Sequence, residues 1–234
     1  MKKNARHVMF SKKLKEGTSK SHSAAENTKF VSSFLRGVLD PEEYRKLLAN
    51  FYFVYDTMER EVKSSKDPIV GELKQWSREL NRVPFLERDL LYYYGPNWKD
   101  EIEPSSACDT YCWRIKQVAH DEPYLLVAHH YTRYIGDLSG GQILRKIAEK
   151  ALKPPLGEGL MFYEFPCIDD AKEWKTNYKS VLDSMEFNTQ EENALITEAN
   201  YAFRLNMYMF DELEGSSVRG LWNVFINTMF ATKG

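Results

Sequence analysis

The chain has 234 residues, 43% hydrophobic and 28% charged, with 32 Lys and Arg against 34 Asp and Glu for a net charge of −2. This length buries a substantial core in one domain, and so even a charge balance argues against nucleic acid as a main partner, which would select a basic surplus. Cys108, Cys112 and Cys167 are odd in number and lack CxxC spacing, which argues against a disulfide framework or zinc knuckle and for packing residues in a reducing compartment.

The N-terminal MKKNARHVMFSKK is basic without the apolar core of a signal peptide, and residues 1–10 read as a flexible tail. A helix is predicted from near Ser11 through Thr18 to Asn27, and Phe30, Phe34 and Leu35 mark a short second helix ending at Gly37. Asp40-Pro41 is an N-cap followed by an N1 proline, opening a long amphipathic helix to about Lys63. Further helices are predicted near 68–76, 84–93 and 105–119, then a long one over Glu122–Leu152, opened by Pro123 and stopped by Pro154-Pro155. FYEFP reads as a short extended piece, Asp169 to Ser184 and Thr189 to Leu213 as helices, and Ser217 to Phe230 as a last segment. No β-alternation, repeat or low-complexity linker interrupts residues 11–215, which form one all-α, single-domain, multi-helix unit followed by a C-terminal helix or tail at 216–234. No apolar run approaches the ~20 residues that cross a bilayer, so the chain reads as soluble, without a membrane anchor.

Glu122–Leu152 is the most informative stretch. Leu126, Ile135, Leu138, Ile143, Leu144, Ile147, Ala148 and Ala151 recur at helical spacing. Its middle nevertheless holds Gly136, Gly140 and Gly141, and interior glycines each cost a helix roughly 1 kcal/mol against Ala. Gly136 and Gly140 lie one turn apart and leave a bare strip of backbone. Another helix crossing closely would fill the strip, and so would a flat ligand, with a kink making room for it. His129 and Arg133 share that face, with Asp137 and Ser139 at its edge. Such polarity favours the ligand.

HHYTRYIGDLSGGQILRKIAEKAL resembles the distal-helix signature of the haem oxygenases. LKEGTSKSHSAAEN (14–27) is similar to that family's proximal-helix motif, YFVYDTMERE to its next long helix, and YYYGPNW, EGLMFYEFP and ANYAFRLNMYMFDEL to later landmarks, in family order over roughly residues 14–214. SHSAAEN, FYEF and NMYMFDELEG are most like the soluble cyanobacterial and algal-plastid branch. The resemblance implies haem sandwiched between a proximal helix and a kinked, Gly-rich distal helix. It implies reductive, oxygen-dependent cleavage of haem at one meso carbon, the α carbon by expectation, to biliverdin, carbon monoxide and ferrous iron. Haem b is then both cofactor and substrate, molecular oxygen the co-substrate, and reduced ferredoxin the expected electron donor. The same branch implies a monomer or weak dimer in a plastid stroma or cyanobacterial-type cytoplasm. A haem-binding carrier or sensor without turnover is the alternative. Thiaminases, on related helical folds, need a pocket cysteine, and neither pocket helix carries one.

An iron porphyrin needs a strong axial donor, and the chain offers His7, His22, His120, His129 and His130. Helix faces alone leave both His22 and His129 open. Lys15, Ser19, His22 and Glu26 line one face, with Lys15 roughly 10 Å along the axis from His22 and Glu26 one turn on, placed to orient the imidazole. The resemblance selects His22 as the proximal iron ligand and Glu26 as its partner, and leaves His129 structural; His130 matches no family role. No histidine has Glu three residues before it, which rejects a carboxylate-bridged di-iron bundle. On the distal side the resemblance assigns catalysis to Asp137, which holds an ordered water that protonates bound oxygen. Its plainer role is an i, i−4 pair with Arg133. Gly136 and Gly140 would let the helix cross above the haem and steer oxygen to one meso carbon, with Arg133 and Ser139 in the pocket network. Family positions set Lys15, Tyr131, Lys175 and Lys179 at the propionates, and Tyr55, Phe203 and Asn206 in the pocket, where periodicity alone reads Tyr55 and Phe203 as core. Lys179 stands for the Arg of animal relatives and Ser19 for a second lysine of some relatives. Lys12, Lys13, Lys15, Lys20, Lys172, Lys175 and Lys179 would form a basic rim for an acidic donor.

Overall fold

A computed structural model describes residues 9–213, which are helices and turns with no strand among them. In chain order the helices are α1 (Phe10–Glu26), α2 (Lys29–Leu35), α3 (Pro41–Ser64), α4 (Pro68–Gly71), α5 (Ser77–Leu80), α6 (Val83–Tyr94), α7 (Trp98–Glu101) and α8 (Ser106–Asp121). They continue as α9 (Leu126–Gly136), α10 (Gln142–Leu152), α11 (Ala171–Ser184) and α12 (Thr189–Leu213).

Local chemistry sets the helix starts. The Asp40 carboxylate accepts from the N–H groups of Glu42 at 2.7 Å and Glu43 at 3.2 Å, with Pro41 in the first turn, and Asp170 caps α11 through Lys172 and Glu173. Such a cap stabilises a helix by ~1 kcal/mol. The two longest helices then organise the packing. α3 lies along α6 and α8, and α12 lies along α1, α8 and α9. Leu48, Val54 and Met58 of α3 and Leu195, Leu205 and Met209 of α12 are fully shielded; each contributes about 1.5–3 kcal/mol of burial. α1 meets α12 at very close range, since a Cβ added at Gly17 would sit 2.6 Å from Ile196 Cγ2.

Several boundaries differ from the sequence reading. The first helix begins at Phe10, whose ring packs on Phe187 with centroids 5.0 Å apart. The helix expected near 68–76 is α4, a 3-10 turn at Lys74–Trp76 and then α5. FYEFP is not extended: Met161–Tyr163 form a 3-10 turn because the buried Asp89 carboxylate accepts from Met161 N at 2.8 Å and Phe162 N at 2.7 Å, and extended backbone follows only at Glu164. The helix over Glu122–Leu152 is not continuous either. A 3-10 turn at Pro123–Leu125 precedes α9, and a π turn at Asp137–Gly141 divides α9 from α10. His7 and the segment Ser217–Phe230 lie outside the described residues. No described helix is long and apolar enough to cross a membrane.

Candidate functional site

The π turn is the hinge of the site. Such turns inside helices recur at functional sites, and this one is braced from both sides. Gln142 Nε2 donates to Tyr163 O at 2.9 Å and Asp137 O at 3.4 Å, while Lys175 Nζ of α11 donates to Leu138 O at 3.2 Å and Ser139 Oγ at 3.1 Å. A cleft opens between this turn and α1. His22 and Glu26 line one side, Gly136, Asp137 and Gly140 the other, and Phe203 and Asn206 of α12 flank it.

The glycine strip faces open space. A Cβ added at Gly136 or Gly140 would meet no atom of the described residues within 4 Å, so no described helix crosses there. Gly141 is different, because its Cβ would touch Tyr163 and Asp137 at 3.7 Å, ordinary packing. The observation answers the choice posed by the sequence: the bare backbone lines a cleft. A flat, largely apolar ring fits such a surface, with Phe51 and Leu144 among the other lining residues.

Opposite, His22 is exposed, with Nδ1 3.6 Å from Glu26 Oε2 and its ring edge-on to Phe203 at 5.8 Å. Glu26 thus lies on the Nδ1 side of the imidazole, at a distance longer than a hydrogen bond. His22 is the one histidine among the described residues lining the cleft. His129 is fully buried, with Nε2 2.9 Å from Glu198, and Glu198 also accepts two hydrogen bonds from Arg114. Burial pushes the Glu198 carboxyl up, but hydrogen bonds with His129 and Arg114 outweigh it and hold the group at about 2. That triad ties α8, α9 and α12 together away from the cleft.

Asp137 is buried at the cleft wall. Tyr55 donates to its Oδ2, Arg133 Nε donates to the Tyr55 hydroxyl at 3.0 Å, Arg133 Nη1 donates to Asn206 Oδ1, and Arg133 Nη2 lies 3.8 Å from Asp137 Oδ1. The i, i−4 pair expected from sequence is thus present, but as one edge of a network reaching α3 and α12. Burial raises the Asp137 carboxyl above its ordinary value, against the pull of Arg133 and the Tyr55 hydrogen bond. Burial holds the Tyr55 phenol well above its usual range, so it stays a donor. The result is a buried carboxyl at the cleft wall, raised by burial and held in place by Tyr55 and Arg133.

The remaining candidates fall outside the cleft lining. Tyr55 stands behind Asp137. Tyr131 is buried on α9, Lys15 is exposed on α1 before His22, and Lys179 follows Lys175 by one turn on α11. Ser139 is exposed and paired with Lys175. Of the basic rim, Lys13 is committed to Glu192 at 2.7 Å and Lys12 lies 3.8 Å from Glu16, while Lys15, Lys20 and Lys172 are exposed.

Sequence reasoning left three groups without a role. Glu59 accepts from Tyr134 OH at 3.2 Å and Arg82 N at 2.5 Å, and burial pushes its carboxyl up to about 7. Arg82 is fully buried between the rings of Phe85 and Phe165, its guanidinium donating to backbone carbonyls of Leu80, Phe162 and Glu164. His130 pairs with Tyr178, Nδ1 to hydroxyl 2.8 Å, and burial depresses it to about 3, which keeps it neutral. Glu59 alone carried a signal, one turn after Tyr55 on α3.

The model of the family described as "Heme oxygenase" matches residues 8–212. A protein named "Heme oxygenase" from Guillardia theta is 48% identical over 94% of this chain and 92% of its own length. "Heme oxygenase 1" from Nostoc sp. is 47% identical over 93% of this chain and 91% of its own. Among solved structures, that of heme oxygenase-1 from the cyanobacterium Synechocystis sp. in complex with heme superposes with a TM-score of 0.85 at 46% identity, covering 95% of this chain and 100% of that one.

Proposed function

The chain belongs to the haem oxygenase family, and from that premise we propose that it binds haem b in the cleft between α1 and the α9–α10 turn and opens it at the α-meso carbon to biliverdin, carbon monoxide and ferrous iron. Bound haem supplies the iron that binds oxygen and the ring that is oxidised. The one observation that carries the reading is the bare strip at Gly136 and Gly140, open to the cleft opposite His22 with Asp137 buried beside it.

Each residue has a stated task. His22 would hold the iron through Nε2, with Glu26 fixing the imidazole through Nδ1. Gly136 and Gly140 admit the ring and let oxygen reach only one edge. Asp137 anchors a water that delivers the proton; Tyr55, Arg133 and Asn206 fix its carboxylate and keep it from swinging into the cleft as a direct donor. Lys15, Tyr131, Lys175 and Lys179 are the candidate propionate contacts. For Lys175 this requires release of, or sharing with, Leu138 O and Ser139. Reduced ferredoxin supplies the electrons, guided by Lys15, Lys20 and Lys172, and the chain works in a plastid stroma or cyanobacterial-type cytoplasm as a monomer or weak dimer. Storage without turnover would favour two protein ligands on the iron, and Asp137 buried in its network has no use in such a carrier.

The test is direct. Purified protein is titrated with haem and then given ferredoxin, its reductase and NADPH while spectra are recorded. Loss of the haem bands with growth of biliverdin is the expected result. Stable haem spectra under full reduction in air would favour the carrier.

A further inference from the structure

Behind the cleft, three tyrosines lie in a row, and each holds its phenol against a group able to take a proton. Tyr55 donates to Asp137, Tyr134 donates to Glu59 Oε1 at 3.2 Å, and the Tyr178 hydroxyl lies 2.8 Å from His130 Nδ1, which accepts its proton in the Nε2–H tautomer. The rings touch in sequence. Tyr55 and Tyr134 have centroids 5.6 Å apart, Tyr134 and His130 4.6 Å, and His130 stacks on Tyr178 at 5.7 Å and 9°. Tyr178 stacks on Trp174 at 5.3 Å, and Trp174 meets Trp76 at 5.0 Å. The row begins at the carboxylate in the cleft wall and ends at Trp76, which is only half-buried.

Core packing does not ask for this arrangement. A buried tyrosine needs one hydrogen-bond partner of any kind, and here all three partners are Brønsted bases. Burial holds the three phenols well above their usual range, so none ionises by itself. A phenol so placed can lose an electron only if its proton moves at the same moment to the base beside it.

We propose that Tyr55, Tyr134, Tyr178, Trp174 and Trp76 form a one-electron conduit that discharges oxidising equivalents from the haem cleft to the protein surface when hydrogen peroxide meets bound haem. The conduit rests on the haem-binding reading above. Peroxide takes up two electrons and two protons to give two waters, one electron at a time. Each electron leaves the Tyr55 end and is replaced in turn from Tyr134, Tyr178, Trp174 and Trp76, with His130 bridging Tyr134 and Tyr178. When Tyr178 gives up its electron, its phenolic proton shifts to His130 Nδ1, and it returns when Trp174 reduces Tyr178 again. A one-electron reductant of the ascorbate type restores Trp76 and releases the proton that peroxide consumes. Two reductant molecules are oxidised per peroxide and every ring ends as it began.

The experiment has two arms. In the first, haem-loaded protein carrying deuterated tyrosine or tryptophan is mixed with hydrogen peroxide, freeze-quenched and read by electron paramagnetic resonance. A tryptophan radical is expected in the wild type and none in Tyr178→Phe, which keeps the stacked ring but loses the phenol. In that variant mass spectrometry should find oxidation shifted to Tyr55 and Phe51, and peroxide-driven ascorbate oxidation should be lost. In the second arm, haem-free protein is oxidised at tryptophan by pulse-generated azide radical. Tryptophan-to-tyrosine radical transfer should appear in the wild type and be lost in Trp76→Phe combined with Trp174→Phe. Radical identity and transfer rates that are the same in these variants as in the wild type would overturn the conduit. A haem titration reports separately on the function reading, and failure there leaves the second arm to decide the conduit.

Discussion

Alanine at Gly136 distinguishes a ligand surface from a packing surface. The added Cβ meets no atom of the described residues within 4 Å, and the backbone is already helical at φ −61° and ψ −49°. In such a backbone Ala is worth roughly 0.5–1 kcal/mol over Gly. For a domain of this size each kcal/mol moves the unfolding midpoint by about 2–4 °C, so haem-free Gly136→Ala should melt ~1–4 °C above the wild type. The same methyl enters the space proposed for the ring. Overpacking costs about 1–3 kcal/mol, which weakens haem binding roughly 5- to 150-fold. Gly140→Ala should behave alike with a smaller gain, since it sits in the π turn. Gly17→Ala is the control of opposite sign, because its Cβ would be 2.6 Å from Ile196 Cγ2 on a stiff β-branched side chain. Thermal unfolding by circular dichroism and haem titration by absorbance measure both effects. A Gly136→Ala protein that melts earlier and binds haem with unchanged affinity would refute the reasoning.

Four further outcomes are expected. His22→Ala should lose the axial-ligand spectrum yet retain part of its haem affinity through the apolar cleft, whereas His129→Ala should lower thermal stability and leave the spectrum alone; the reverse pattern would transfer the ligand role to His129. Asp137→Asn should bind haem nearly normally and make little biliverdin, and product analysis at wild-type rates would reduce Asp137 to a partner of Arg133. Ferredoxin-supported turnover should fall with salt as the Debye length shrinks from roughly 30 Å at 0.01 M to about 10 Å at 0.1 M, and Lys172→Glu should mimic added salt; rates indifferent to both dispose of steering. Glu198 sits at about 2 against an ordinary 4.5, so its contribution is complete above the ordinary value and is lost as pH falls from there towards 2. A shift of this size is worth on the order of 3 kcal/mol, and acid unfolding of Glu198→Gln followed by circular dichroism should lose that dependence; an unchanged slope would contradict the assignment.

What the sequence discloses is what local chemistry decides. Asp40-Pro41 starts α3 and the His22–Glu26 and Arg133–Asp137 pairs share turns, because one helical turn carries all the information needed. The π turn is not readable in this way. Leu138, Leu144 and Ile147 keep the apolar rhythm running straight through it, and one of its two braces, Lys175, comes from α11, outside the run. FYEFP misleads for the same reason: its aromatics suit a strand, but Asp89 of α6 supplies the acceptor that turns the backbone. Tyr55 and Asn206 reach the site across 82 and 73 positions of chain, so periodicity reads Tyr55 as core and only a family resemblance places both in the pocket. Arg82 is least legible of all. A buried arginine whose partners are backbone carbonyls leaves no complementary side chain in the sequence to betray it.

The placement of Asp137 shows how the fold produces the site. Its carboxylate is fixed by Tyr55 from α3, by Arg133 from α9, and through Arg133 by Asn206 from α12. α3 and α12 are the two longest helices, and each is anchored by side chains fully shielded from water. The position of one acidic group is therefore set by the packing of the whole domain rather than by the turn that carries it. Arg133 cannot move without leaving Tyr55, Asn206 or Asp137 short of a partner, and a buried polar group left unpaired costs about 1–3 kcal/mol. Opposing influences act on the carboxyl, burial raising it and Arg133 and Tyr55 lowering it, with burial the larger. The glycine backbone at Gly136 and Gly140 leaves open space beside it without disturbing any of these contacts, so one turn carries both the room and the fixed charge.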